Sequence, residues 1–116
     1  MLDLTRLLEH EQHASFKAGE TLFEEGSEGR VMYVLLSGEV EVMRDGAVID
    51  TCGVGEIVGE MALIDDSPRA AAVVARTDCE AAEVSQKRFL LMVTQTPFFA
   101  LHCMEVLARR LRATRA

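Results

Sequence analysis

Residues 31–52, "VMYVLLSGEVEVMRDGAVIDTC", constrain the fold more than any other stretch of the chain. Val31, Tyr33 and Leu35 interleave with Met32, Val34 and Leu36, while Val40 and Val42 alternate with Glu39 and Glu41. A period of two places successive side chains on opposite faces of a strand. Between "EVEVMR" and "AVIDTC", Asp45-Gly46 is a two-residue hairpin signal, since both residues tolerate the positive φ such a turn demands. This part of the chain is therefore antiparallel sheet.

The strand pattern resumes in "RAAAVVAR" and "CEAAEVS". Upstream, "LDLTRLLEHE" carries Leu4, Leu7 and Leu8 at helical spacing, and Gly19, Gly26 and Gly29 mark turns before the first long strand. From Ser85, a capping residue, the period becomes helical, with Phe89, Leu90 and Val93 recurring until Thr96-Pro97 interrupts it. Pro97 suits the first turn of a last helix, Phe98 to about Thr114, with Leu101, Met104, Leu107, Ala108 and Leu111 on one side. That apolar side is expected either to pack back on the sheet or to form a homodimer. Short strands followed by two helices, about residues 85–114, make an α+β domain whose strands curl into a small barrel or sandwich.

Length and charge narrow the function. A chain of 116 residues is one domain, 1–116, with enough surface to bury a core, and 49% hydrophobic against 5% aromatic residues makes that core aliphatic. The longest apolar run, "AAAVVA" at 70–75, is far short of a membrane span, and no secretory leader is evident. A cytoplasmic location with no membrane partner is expected. Cys52, Cys79 and Cys103 show no metal-ligand spacing and read as small buried hydrophobes. A net charge of −7 disfavours a nucleic-acid backbone as partner, so no DNA contact is expected. The basic tail, Arg109, Arg110, Arg112 and Arg115, reads as cations complementing a helix C-terminus. His10, His13 and His102 have no nucleophile or acid at catalytic spacing, so no enzyme activity and no cofactor are expected.

The chemistry concentrates in "GEIVGEMALIDDSPRAAAV", residues 55–73. Glu60 and Arg69 stand among Gly55, Gly59, Ala62, Ala70, Ala71 and Ala72, in a stretch cleared of bulk. Gly59 followed by "EMALI" reads as a tight turn into one helical turn, with free N–H groups suited to an anion. Residues 65–68 turn the chain back to deliver Arg69 at the start of a strand, where it gives an anion a charge-assisted contact. An ionised Glu60 only accepts hydrogen bonds, so its natural partner is a sugar hydroxyl. The bland alternative is a mutual Glu60–Arg69 salt bridge stapling the turn.

The pattern G-E-x-x-G-E-x-A-L followed by P-R-A-A resembles the phosphate-binding cassette of cyclic nucleotide-binding domains, as in catabolite activator proteins and the regulatory subunits of cyclic-nucleotide-dependent kinases. Residues 18–42 are similar to that family's first strands, and 75–93 to its strand-to-helix passage. The resemblance implies an antiparallel eight-stranded β jelly-roll barrel with flanking helices. It implies Glu60 on the ribose 2′-hydroxyl and Arg69 on an exocyclic phosphate oxygen. Backbone N–H groups near Gly59, Met61, Ala62, Ala70 and Ala71 would assist, with Val42, Ile49, Val58 and Thr114 beside the base. In that family a hydroxyl residue directly after the arginine favours cGMP, so Ala70 leans toward cAMP. The expected role is a stand-alone cyclic nucleotide sensor whose readout comes from an unknown protein effector or an oligomer change. The alternative is the same barrel with a vestigial pocket, serving as a protein-interaction module.

Overall fold

The computed structural model describes the backbone of residues 4–65 and 67–115 and the side chains of residues 5–65 and 67–112. A short helix α1 (Leu4–Leu7) leads into eight strands: β1 (His13–Phe16), β2 (Thr21–Phe23), β3 (Val31–Ser37), β4 (Val40–Arg44), β5 (Ala47–Cys52), β6 (Ile57–Val58), β7 (Ala72–Ala75) and β8 (Cys79–Ser85). Helix α2 (Met61–Asp65) sits between β6 and β7, and α3 (Gln86–Gln95) and α4 (Pro97–Arg115) close the chain. The strands form two antiparallel four-stranded sheets, ordered β1-β8-β3-β6 and β2-β7-β4-β5. The jelly roll is thus two packed sheets rather than a closed ring.

The continuous apolar run of β3 is explained by burial on both faces. Met32 and Val34 point with Ile57, Ala82 and Val84 toward the helices, where Leu8, Met92 and Phe99 fill the first core. Tyr33 and Leu35 point the other way, with Val40, Val58, Val73 and Ala81, into the second core between the sheets. A one-residue slip would exchange the two sets, so the register is strongly specified. The Asp45-Gly46 turn joins β4 to β5 with φ of 53° and 78°, the type the sequence signals.

Ser85 caps α3, its hydroxyl accepting the Arg88 N–H at 3.2 Å. Pro97 opens α4, as the sequence predicts. The packing face of α4 differs from the one read from sequence. Leu101, Met104 and Leu111 are exposed and Leu107 and Ala108 half-buried, whereas Phe99, Cys103 and Val106 enter the first core. All three cysteines are buried as free thiols.

Candidate functional site

Strand β6 ends at Gly59, whose φ of +83° is a conformation that L side chains rarely adopt. A β-carbon there would also stand 2.6 Å from Arg69 Nη1 and 3.2 Å from Phe23 Cε2. The chain then turns into α2, with the Glu60 carbonyl accepting the Leu63 N–H at 3.1 Å. Across from it, Arg69 is pinned by its own backbone. Its N–H donates to the Ser27 carbonyl at 2.8 Å, and its carbonyl accepts the Gly26 N–H at 2.8 Å. The β2–β3 loop therefore fixes the position of residue 69 before its side chain makes any contact.

The Arg69 side chain is only 6% exposed. Nη1 donates to the Gly59 carbonyl at 3.0 Å and Nη2 to the Val31 carbonyl at 2.8 Å, while the guanidinium carbon lies 4.0 Å from the centre of the Phe23 ring. Gly29 packs against the same guanidinium so closely that any β-carbon would overlap it. Nε is buried with no hydrogen-bond partner among the described residues. Burial draws this guanidinium below its ordinary pKa, with Tyr33 and Glu60 opposing the shift. It is a buried cation held by neutral carbonyls, with Nε left without an acceptor among the described residues.

Glu60 is 3% exposed, and the mutual bridge with Arg69 is not formed. Its partner is Arg110 on α4. Nη1 of Arg110 donates to Glu60 Oε1, Nη2 donates to the Ile57 carbonyl, and Nη2 lies 4.0 Å from Cys52 Sγ. Burial works against the Arg110 charge, but the Glu60 carboxylate and its hydrogen bond prevail and raise the pKa. The reading of Arg110 as one of several tail cations is corrected: it reaches into the site. A signal for this was present. Phe99, Cys103, Val106 and Arg110 are spaced four, three and four residues apart, which continues the buried face of α4 to a charged position.

The remaining candidates are distributed unevenly. Ala62 and Ala71 are buried, whereas the Met61 side chain and Ala70 are exposed. Val58 is buried in the second core, and Val42 is half-buried against it. Ile49 is 51% exposed on the edge strand β5, at the bulge where the β4–β5 register shifts. The side chain of Thr114 lies outside the described residues. So the structure brings Gly59, Glu60 and Arg69 together, and adds Phe23, Gly29 and Arg110, which the sequence reading did not assign to the site.

The family model for the cyclic nucleotide-binding domain matches residues 13–96. The chain belongs to that family. Among curated relatives, the cyclic AMP receptor protein of Thermus thermophilus is 31% identical over 110 residues, covering 90% of this chain and 51% of the relative. The cAMP-dependent protein kinase regulatory subunit of Aspergillus fumigatus is 41% identical over 76 residues, covering 64% of this chain and 18% of the relative. The chain thus spans about half the length of the receptor and less than a fifth of the kinase subunit. Among solved structures, the Thermus thermophilus catabolite activator protein superposes with a TM-score of 0.85 at 29% identity, covering 97% of this chain and 55% of that one. The cyclic nucleotide-binding fold expected from the cassette is the fold observed.

Proposed function

We propose that this domain binds a cyclic nucleotide, cAMP in preference to cGMP, and that occupancy is read by a protein effector or by a change in self-association. The observation that carries the reading is Arg69: a buried guanidinium with no carboxylate partner among the described residues and an unused Nε. A buried charge of this kind is costly unless an opposite charge completes it. In this reading the exocyclic phosphate oxygen accepts from Arg69, assisted by N–H groups at Met61, Ala62, Ala70 and Ala71. Arg110 occupies Oε1 of Glu60, and Oε2 is the acceptor left for the ribose 2′-hydroxyl. Val42, Ile49, Val58 and Thr114 are assigned to the base. The methyl group of Ala70 offers no hydroxyl to a guanine amino group, which favours adenine.

Because Arg110 joins α4 to the sugar carboxylate, the last helix is the element that registers ligand. Its outward Leu101, Met104 and Leu111 offer a surface for a homodimer. The domain acts as a cytoplasmic sensor, with neither a catalytic step nor a DNA or membrane contact of its own.

Calorimetric titration of nucleotide-stripped protein with cAMP, then cGMP, tests this reading. A ligand of about 22 heavy atoms at about 0.3 kcal/mol per atom binds with about −7 kcal/mol, in the micromolar region. Arg69→Ala removes a charged hydrogen bond worth ~1.5–3 kcal/mol and weakens binding roughly ten- to hundredfold. No heat from either nucleotide up to millimolar concentration overturns the reading and leaves the fold as a protein-docking module.

A further inference from the structure

The β4–β7 ladder pairs Val40 with Ala75, Glu41 with Val74, Val42 with Val73 and Met43 with Ala72, and there it stops. One residue further along β4, Arg44 extends it with a side chain: Nε donates to the Ala70 carbonyl at 3.1 Å. The tip of the same hairpin is tied to the β2–β3 loop, because the Asp45 N–H donates to Glu25 Oε1 at 3.2 Å. The hairpin end is thus fixed to both segments that flank Arg69.

In a trans peptide the C=O and N–H groups point in opposite directions, and the chain contains no cis peptide among the described residues. Holding the Ala70 carbonyl toward Arg44 therefore directs the Ala71 N–H to the opposite side of that peptide. Ala71 is 8% exposed, the β4–β7 pairing ends at Ala72, and no turn, loop or cap hydrogen bond among the described residues takes up this N–H. Buried backbone donors are rarely left so. It belongs to a residue two positions along the chain from Arg69, whose Nε also lacks an acceptor among the described residues.

We propose that Arg44 is a positioning residue for the cyclic phosphate: by gripping the Ala70 carbonyl it sets the 70–71 peptide plane so that the Ala71 N–H faces the ligand. This rests on the cyclic nucleotide reading of the site. Arg44 is exposed and acts through Ala71, without touching the phosphate itself.

The test titrates wild type, Arg44→Ala and Arg44→Lys with cAMP at low and high salt, and follows the Ala71 amide resonance in 15N-alanine-labelled protein. Arg44→Ala is expected to weaken binding roughly three- to tenfold, in line with the net worth of one exposed hydrogen bond, with the loss retained at high salt. Arg44→Lys keeps the charge but lacks a donor at the ε position, and is expected to remain weakened. Addition of cAMP shifts the wild-type Ala71 amide downfield, and that response shrinks in Arg44→Ala. A purely structural role would lower the melting temperature and leave the Ala71 response intact, which overturns the proposal. So does wild-type affinity in either variant, or a loss that disappears at high salt. If wild type itself binds no cyclic nucleotide, the functional reading fails and this inference fails with it; if only the Arg44 variants behave as wild type, this inference alone fails.

Discussion

Replacing Arg110 by Met isolates the contact that joins α4 to the site. The substitution keeps an unbranched apolar stem but strips Glu60, 3% exposed, of its cation and the Ile57 carbonyl of a donor. Removing one partner of a fully buried pair costs about 3–5 kcal/mol, whereas exposed pairs contribute about 0–1 kcal/mol. The Arg110 side chain is 31% exposed, so water reaches one end of this pair and the expected cost is intermediate, about 2–4 kcal/mol. With a urea m value of about 1.5 kcal/mol/M, the unfolding midpoint falls by roughly 2 M. Glu60→Gln should be milder, because an amide oxygen still accepts from Arg110. In a double-mutant cycle the doubly substituted protein is more stable than the sum of the single losses predicts, with a coupling of about 1.5–3 kcal/mol. The buried carboxylate predicts little salt dependence of that coupling. A coupling below about 0.5 kcal/mol would mean that Glu60 is solvated without Arg110, and the argument from burial would be wrong.

Gly29→Ala introduces a methyl group into the Arg69 guanidinium at an ordinary φ, so its effect is steric alone. It should cost about 1–3 kcal/mol by thermal melting and weaken cAMP binding, and an unchanged melt would refute the close approach. Phe99→Ala, in the first core at 0% exposure, should cost about 3–5 kcal/mol, while Met104→Ala, 62% exposed, should stay within about 0.5 kcal/mol in the same urea assay. Equal losses would refute the assignment of the α4 packing face. Burial, then the Glu56 carboxylate, pushes the Cys52 thiol up to about 12, and burial, then Glu60, pushes Cys103 to about 11. Both folded values exceed 9.0, so their stabilising effect is complete below about pH 9 and is lost as pH rises toward the folded values. The urea midpoint should fall across that window, and both thiols should resist alkylation at mildly alkaline pH until the protein unfolds.

Strands β3, β4, β5, β7 and β8 were legible from their periodicity, whereas the short β1, β2 and β6 were not. Val40 and Val42 alternate with charged neighbours, and the apolar run of β3 has a core on each side to receive it. The Asp45-Gly46 turn follows from local chemistry alone. Helix α4 was less legible because it carries large apolar residues on both faces. Leu101, Met104 and Leu111 make the more conspicuous stripe, yet the smaller Cys103 and Val106, with Phe99, fill the space above the sheet. Hydrophobicity along a helix shows that a face exists, not which face the neighbouring elements have room for. Arg110 was missed for the same reason. Its partner is fifty residues away, and only the correct packing face brings the two together.

At Gly59 the absence of a side chain serves the arginine as well as any ligand. Gly59 and Gly29 make room for the arginine itself, whose guanidinium fills the space where their side chains would stand. The two charges are then held separately: Arg69 by carbonyls of Gly59 and Val31, Glu60 by a guanidinium from α4. Glu60, Arg69 and Arg110 together sum to a positive site in a chain of net charge −7. The overall acidity that argues against a polyanionic partner therefore leaves a single small anion favoured at this one place. In the proposed reading the anion engages the arginine with the unused donor, while the sugar engages the carboxylate that α4 already holds. Phosphate recognition and helix coupling then fall on different residues, Arg69 and Arg110. Substitutions should separate them: Arg69→Ala removes affinity and leaves the α4 contact in place, whereas Arg110→Met removes the contact by which α4 senses the sugar.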